Sequence, residues 1–253
     1  MGLYSRMNYT FFTVIVSAAA FPNAEVCVML LQKCYPKIKV ILAFDFSKHY
    51  SETRKQFFTE KGVKVIQNAF SDRASSYSHG RQLDRLAQIV RTPYFITMDD
   101  DAFMKKRGVI EACIPFLKDG VKYLGPQEGR RFHPFFSVVN TRFFRENHLS
   151  FSPPGDTDGA WLDTAAYLYL ACTQKGIRHH KINDFVHGYV DHMSAMTGKL
   201  DNLMDLCKPG FTFSEIKTKF EVYNRYLLLA DKAGSGFKRL DDVEEKDFGF
   251  LQL

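Results

Sequence analysis

The stretch TPYFITMDDD, residues 92–101, joins a strand pattern to a cluster of carboxylates. A short apolar, β-prone run such as residues 94–98 is typical of a buried strand. Asp99, Asp100 and Asp101 would crowd like charges at its end, which is costly unless a cation neutralises them. Oxygen donors of this kind suit Mg²⁺ or Mn²⁺, and these ions commonly bring a phosphate group with them. The stretch therefore predicts a metal-bound phosphorylated ligand at the end of a strand; an acidic turn is the alternative.

The chain before this stretch alternates between strand and helix patterns. Strand patterns cover residues 9–16, 39–44 and 63–67, and helix patterns cover residues 24–34, 50–61 and 79–90. Such alternation predicts a Rossmann-like α/β fold with a mostly parallel sheet. Ligands of such sheets bind outside the carboxyl ends of the strands. The residues expected at that edge are Ala18, Asp45, Asn68 and Asp99.

The chain after the aspartates is less regular. Short strand patterns cover residues 121–124, 134–139 and 178–182, and a helix pattern covers residues 161–175. Residues 185–198 have the composition of a loop, and residues 213–230 predict a final helix before an acidic tail.

Composition and charge limit the class of protein. A net charge of +6 and a pI near 9.0 fit an anionic ligand, but no nucleic-acid-binding module is present. The five cysteines lack metal-binding spacing, which predicts reduced thiols. With no apolar run of transmembrane length and no signal-peptide pattern, we expect a cytoplasmic protein. The basic surface and the amphipathic segment 213–230 are compatible with membrane association.

Together these features resemble a GT-A-type, family-2-like nucleotide-sugar glycosyltransferase. The resemblance covers residues 9–195 and rests on four features. These are the small-residue loop at 17–20, Asp45 after the second strand, the helix at 79–90, and the strand that leads into an Asp-x-Asp motif at 99–101. It implies a GT-A fold with a smaller acceptor-side β region and C-terminal helices. Residues 1–198 would form the domain, with a nucleotide-binding half at 9–103 and an acceptor half at 104–198; residues 199–253 would form a helical extension.

The resemblance also implies roles for single residues on the donor side. Asp99 would face the nucleotide ribose, Asp100 the donor sugar, and Asp101 would bind Mn²⁺ or Mg²⁺, with Asp99 beside it. Asp45 would contact the uracil or ribose, and Ala18 would let the backbone approach the nucleotide closely.

The helix at 79–90 departs from the family pattern. The usual Ala-Arg-Asn is absent, and Gly80-Arg81-Gln82 takes its place. Arg81 or Arg85 would contact the donor phosphates, or both would be solvated arginines on the helix surface.

The segment Trp161-Leu162-Asp163-Thr164 is similar to the acidic motif of the family's acceptor side. Asp163 would act as general base, because an acceptor hydroxyl needs a carboxylate to take its proton as it attacks the anomeric carbon. Asp156 and Asp158 are alternative bases, and Asp163 is alternatively a helix-terminal carboxylate favoured by the helix dipole. A base and a leaving diphosphate on opposite sides of the sugar imply inversion.

Two late histidines, His187 and His192, are candidates for the late metal-binding histidine that such enzymes supply. His192 is the first choice, whereas His179 and His180 are interpreted as structural. Phe135 and Phe136 are assigned to the core in preference to sugar stacking.

The sequence therefore predicts a metal-dependent glycosyltransferase that uses a UDP- or GDP-sugar. Its acceptor would be a hydroxyl of a glycan, protein, lipid or small molecule. A sugar-phosphate nucleotidyltransferase is less favoured, because the loop at 17–21 carries no basic residue. A phosphohydrolase with an aspartate nucleophile is also less favoured. Its aspartate motif would have to follow the first strand, whereas the three aspartates of this chain lie at residues 99–101. The alternative that is not an enzyme is a non-catalytic nucleotide-sugar-binding module.

Overall fold

The computed structural model describes residues 9–18, 21–44, 52–67, 76–153 and 164–192. Several predicted residues lie outside these ranges: Asp45, Asn68, Asp156, Asp158, Trp161 and Asp163, together with the predicted extension at 199–253. None of the helices in the described ranges combines the length and apolar character that a membrane span requires.

The described chain alternates strands and helices through its first half. The strands are β1 (Phe12–Ala18), β2 (Lys39–Phe44), β3 (Lys64–Ile66), β4 (Tyr94–Asp99), β5 (Ala102–Met104), β6 (Tyr123–Gly125), β7 (Gln127–Glu128), β8 (Arg131–Phe132), β9 (Phe136–Asn140), β10 (His179–Lys181) and β11 (Val190–His192). The helices are α1 (Phe21–Cys34), α2 (Glu52–Glu60), α3 (Ser76–Ile89), α4 (Val109–Lys118), α5 (Thr141–Glu146), α6 (Ala166–Gln174) and α7 (Asn183–Val186), after a short 3-10 helix at Tyr9–Phe11.

The central sheet has seven strands in the order β10-β6-β9-β4-β1-β2-β3. All neighbours pair in parallel except β9, which runs antiparallel to both β4 and β6. The predicted mostly parallel α/β sheet is therefore confirmed. Because β1 and β4 are parallel neighbours with Ser17 opposite Asp99, their carboxyl ends meet at one edge.

Two apolar cores cover the two faces of this sheet. Alternate residues of β4 point to opposite faces, so Ile96 joins the core beneath α1 and α4 while Phe95 joins the core beneath α3, α5 and α6. The predicted amphipathic helix is α3, and its buried apolar face includes Leu83, Leu86 and Ala87, with Val90 buried directly after the helix ends. By the same alternation, Asp99 lies on the face that α3 covers.

Residues 185–198 were predicted to be a loop, and this prediction is partly wrong. The described part of that segment includes the end of α7 and strand β11, which pairs antiparallel with β5 directly after the aspartates. A three-residue strand has no readable periodicity, and its partner lies far away in the chain. In a second difference, β1 continues to Ala18 instead of ending before the small-residue loop.

Four of the five cysteines lie in the described residues, and all four are free thiols. Cys27, Cys113 and Cys172 are buried, and Cys34 is partly exposed. Burial raises the pKa of the Cys27 thiol well above its ordinary value, with the aspartate charges adding to the effect. Three of these cysteines are therefore core side chains, and burial keeps the Cys27 thiol protonated.

Candidate nucleotide and metal site

Three carboxylates are almost completely enclosed at the carboxyl end of β4. Asp99 retains 9% of its exposure, and Asp100 and Asp101 retain 1% each. Burying like charges together is unfavourable unless positive groups or hydrogen bonds compensate them. The surroundings of these carboxylates therefore decide what the edge can bind.

His79, in the first turns of α3, holds Asp99 from one side. Its Nε2 lies 3.2 Å from Asp99 Oδ1, and its Nδ1 lies 2.9 Å from the hydroxyl oxygen of Ser17 at the end of β1. Gln82 Nε2 reaches the same hydroxyl at 3.5 Å. This chain of contacts links α3, β1 and β4, and it fixes the orientation of the Asp99 carboxylate.

His192 approaches the aspartates from the other side. The pairing of β11 with β5 places His192 opposite Ala102, the residue after Asp101. Its Nε2 lies 3.3 Å from Asp101 Oδ1 and 3.8 Å from Asp99 Oδ2. A residue from the end of the described chain thus contacts both outer aspartates of the triplet.

His133 completes the cluster from the turn between β8 and β9. Its ring centroid lies 4.7 Å from that of His192 in an edge-to-face arrangement. Asp99, His133 and His192 each offer one ligand atom, and these three atoms lie within 4.8 Å of one another. We refer to these three residues as the Asp99–His133–His192 cluster.

Phe135 packs behind the cluster. Its ring stacks on His192 with centroids 4.5 Å apart and 9° between the planes. Phe135 is 3% exposed and Phe136 is 1% exposed, which agrees with the prediction that both belong to the core. The ring of Phe135 therefore restricts the orientation of His192.

The electrostatic environment separates the two histidines of the cluster. Burial lowers the pKa of His133. Burial also opposes charge on His192, but the hydrogen bond and charge of Asp101 and the charge of Asp99 outweigh it, so the pKa of His192 is raised. Burial would raise the pKa of Asp99, yet the hydrogen bond from His79 and the histidine charges lower it. Asp99 is therefore an ionised carboxylate beside one imidazole that favours protonation and one that favours the neutral form.

The cluster fits a divalent cation. Ligand atoms on opposite sides of such an ion, each bound at about 2.1 Å, lie about 4.2 Å apart. The ligand atoms of the cluster lie within 4.8 Å of one another, so small side-chain movements would allow all three to bind one ion. The Nδ1 atom of His133 is also buried without a hydrogen-bond partner among the described residues. Carboxylate oxygen and imidazole nitrogen together are donors that first-row divalent metals accept.

The other predicted site residues have varied positions. Ala18 is fully buried at the end of β1, at the same edge as Asp99. Arg81 is exposed on α3, with its guanidinium 5.5 Å from the ring centroid of Tyr77. His187 is exposed after α7 and its ring lies 5.6 Å from that of Phe135, outside the cluster. A contact of Arg81 or His187 with donor or metal stays a prediction, as do the roles of Asp45, Asn68 and Asp163.

Sequence reasoning missed His79 and His133. His79 lies four residues before Leu83 and seven before Leu86, so helical periodicity places it on the buried face of α3. That signal could have identified it. No comparable pattern marks His133, because its position depends on the β7–β8 hairpin and on β9.

The sheet and its helices have a GT-A-like fold, similar to the folds of the solved structures that follow. A mannosyltransferase from Pyrobaculum calidifontis, solved in complex with GDP-Man and Mn²⁺, has a TM-score of 0.55 and 14% identity over 85% of this chain. Staphylococcus aureus TarS has a TM-score of 0.51 and 14% identity over 90% of this chain. Residues 1–349 of TarS in complex with UDP give a TM-score of 0.51, also at 14% identity, over 88% of this chain and 73% of that one.

This chain spans 64% of the mannosyltransferase and 45% of TarS. No protein-family model matches the sequence. A search of curated proteins likewise finds no match. At such low identity the structural similarity defines the fold alone.

Proposed function

We propose that this protein is a metal-dependent glycosyltransferase that transfers a sugar from a UDP- or GDP-sugar to an acceptor hydroxyl with inversion. One observation carries the proposal. In a GT-A-like fold, the buried aspartates at the carboxyl end of β4 meet His192 at 3.3 Å and His79 at 3.2 Å. The structural neighbours include one solved with GDP-Man and Mn²⁺ and one solved with UDP, which supports this donor class.

Asp99, Asp101 and His192 would hold Mn²⁺ or Mg²⁺ at this edge. When bound, the ion acts as a Lewis acid that stabilises the departing nucleoside diphosphate. Asp100 would lie near the donor sugar. Ala18, Asp45 and Asn68 would contact the nucleotide from the ends of the neighbouring strands, consistent with binding outside the carboxyl ends of a parallel sheet.

Asp163 would supply the base. A positioned carboxylate takes the proton of the acceptor hydroxyl as the oxygen attacks the anomeric carbon, while the bond to the diphosphate breaks. Because attack and departure occur on opposite faces of the sugar, the product has the inverted configuration.

The proposal is tested by nucleoside diphosphate release from UDP- and GDP-sugars, with acceptor candidates and with water as a poor acceptor. We expect release by the wild-type chain that needs Mn²⁺ or Mg²⁺ and stops with EDTA. Asp163→Asn should keep donor binding but lose roughly 10²-fold or more of the transfer rate, the usual range for a general base.

Asp119→Asn is the matched control, because Asp119 is an exposed carboxylate paired with Arg178 on the surface. Loss of a surface ion pair costs little, so this variant should retain wild-type rates. Release that ignores EDTA would contradict the metal dependence. Full transfer by Asp163→Asn would assign the base to Asp158 or Asp156. Donor binding without turnover would favour the non-catalytic binding module.

A further inference from the structure

We propose that His133 is a direct ligand of the cation site and that its nitrogen makes the site select Mn²⁺ over Mg²⁺. The inference rests on the proposed function, in which Asp99, Asp101 and His192 hold the ion. It adds a ligand that the aspartate motif does not contain, and it narrows the choice between the two cations.

The position of His133 is suited to a metal ligand. The ligand atoms of Asp99, His133 and His192 come from three separate parts of the chain and lie within 4.8 Å of one another. The backbone N–H of His133 donates to the Pro126 carbonyl at 2.8 Å, which anchors the residue. Its ring centroid lies 5.3 Å from that of Phe135, so the imidazole is held against an aromatic wall.

One ring nitrogen of His133 lacks, within the described part of the chain, the partner that a buried polar atom needs. The Nδ1 atom of His133 is buried and has no hydrogen-bond partner among the described residues. Leaving a buried polar atom unsatisfied costs about 1–3 kcal/mol. His179 avoids this cost, because its Nδ1 lies 2.9 Å from the Ile177 carbonyl oxygen. A histidine held beside a buried carboxylate with an unsatisfied nitrogen is better explained by a ligand that the nitrogen binds.

The two cations differ in the ligand atoms that they prefer. Mg²⁺ is a hard ion that prefers oxygen ligands and retains its water molecules. Imidazole nitrogen suits first-row transition metals, and carboxylate oxygen suits Mn²⁺ as well as Mg²⁺. A site with one imidazole, from His192, leaves both ions acceptable. A second imidazole, from His133, penalises Mg²⁺ more than Mn²⁺, so the pair of histidines produces the selectivity.

The experiment titrates the full chain with Mn²⁺ alone and with Mg²⁺ as competitor, without any nucleotide. Pulsed electron paramagnetic resonance of bound Mn²⁺ counts the coupled imidazole nitrogens. We expect two in the wild type and one in His133→Gln. His133→Asp replaces nitrogen with oxygen, so it should retain Mg²⁺ binding while the Mn²⁺-over-Mg²⁺ preference falls roughly tenfold or more. Changes of about 10-fold or more in metal affinity are known even for residues that only hydrogen-bond to a metal ligand, without binding the metal themselves.

His180→Gln is the matched control, because His180 lies on the outermost strand β10, where its ring stacks on Phe116 with centroids 4.1 Å apart. Its nitrogen count and cation preference should equal those of the wild type. Coupling to a single nitrogen in the wild type would overturn the inference, and so would an unchanged cation preference in His133→Asp. The metal titration contains no nucleotide-sugar, so its result does not depend on whether the protein transfers sugar. A failure of sugar transfer would therefore refute the proposed function but not the role of His133 as a ligand.

Discussion

Asp99 lies between two histidines. His79 contacts Oδ1 at 3.2 Å, and His192 lies 3.8 Å from Oδ2. The buried Ser17 hydroxyl contacts the second nitrogen of His79, which fixes the ring orientation. A residue that hydrogen-bonds to a metal-binding carboxylate affects the metal affinity, because it fixes the orientation of that ligand. In the proposed metal site, His79 would therefore act as a positioning residue for Asp99.

Replacing His79 should therefore weaken the metal site without removing the chemistry. We expect His79→Leu to raise the Mn²⁺ concentration for half-maximal activity roughly 10- to 100-fold. The rate at saturating Mn²⁺ should stay near the wild-type value. His79→Gln keeps a hydrogen-bond donor at a similar distance from Asp99, so its Mn²⁺ requirement should stay close to that of the wild type.

Melting curves of both His79 variants check that each one folds. A purely structural role predicts equal loss of rate at all Mn²⁺ concentrations and no advantage of glutamine over leucine. That pattern would contradict the positioning role.

Helix α3 connects the site to a second part of the chain. Near its start it presents His79 to Asp99, and further along Asp84 accepts hydrogen bonds from the Phe151 N–H at 2.7 Å and the Ser150 hydroxyl at 2.6 Å. Gly80 lies directly against the Ser152 backbone. The helix and residues 150–152 therefore form one packed unit, immediately before the stretch of sequence that contains Asp163.

Gly80→Ala tests this packing. The added Cβ would lie 2.6 Å from Ser152 Cα and 2.8 Å from the Phe151 carbonyl oxygen, and both are backbone atoms. Alanine gains about 1 kcal/mol of helix propensity over glycine, but overpacking against backbone costs more. We expect a net loss of about 1–2 kcal/mol in the free energy of unfolding, measured by denaturant titration.

Gln88→Ala on the exposed side of the same helix should stay within about 0.5 kcal/mol of the wild type. If Gly80→Ala unfolds at the same or a higher denaturant concentration than the wild type, the close approach of α3 to Ser152 is wrong.

At the scale of the molecule, local sequence patterns predict the sheet. The positions of the site residues depend instead on strand pairing between distant parts of the chain. Residues 94–98 are a short apolar, β-prone run and residues 83–90 have helical apolar periodicity, so β4 and α3 could be predicted. The contact of His192 with Asp101 could be proposed only through a family resemblance, because it depends on β11 pairing with β5. His133 reaches the cluster through a hairpin and an antiparallel strand, which no spacing in the sequence encodes.

The most direct test of the central claim is calorimetric titration of UDP and GDP into the full chain, with and without Mn²⁺. The buried carboxylates should repel a diphosphate unless a cation lies between them, so one nucleotide should bind only when Mn²⁺ is present. Asp101→Ala should abolish that binding, whereas Asp119→Ala should retain it. Binding that is equally tight without metal, or unchanged in Asp101→Ala, would contradict the claim that the end of β4 is a metal-dependent nucleotide-sugar site.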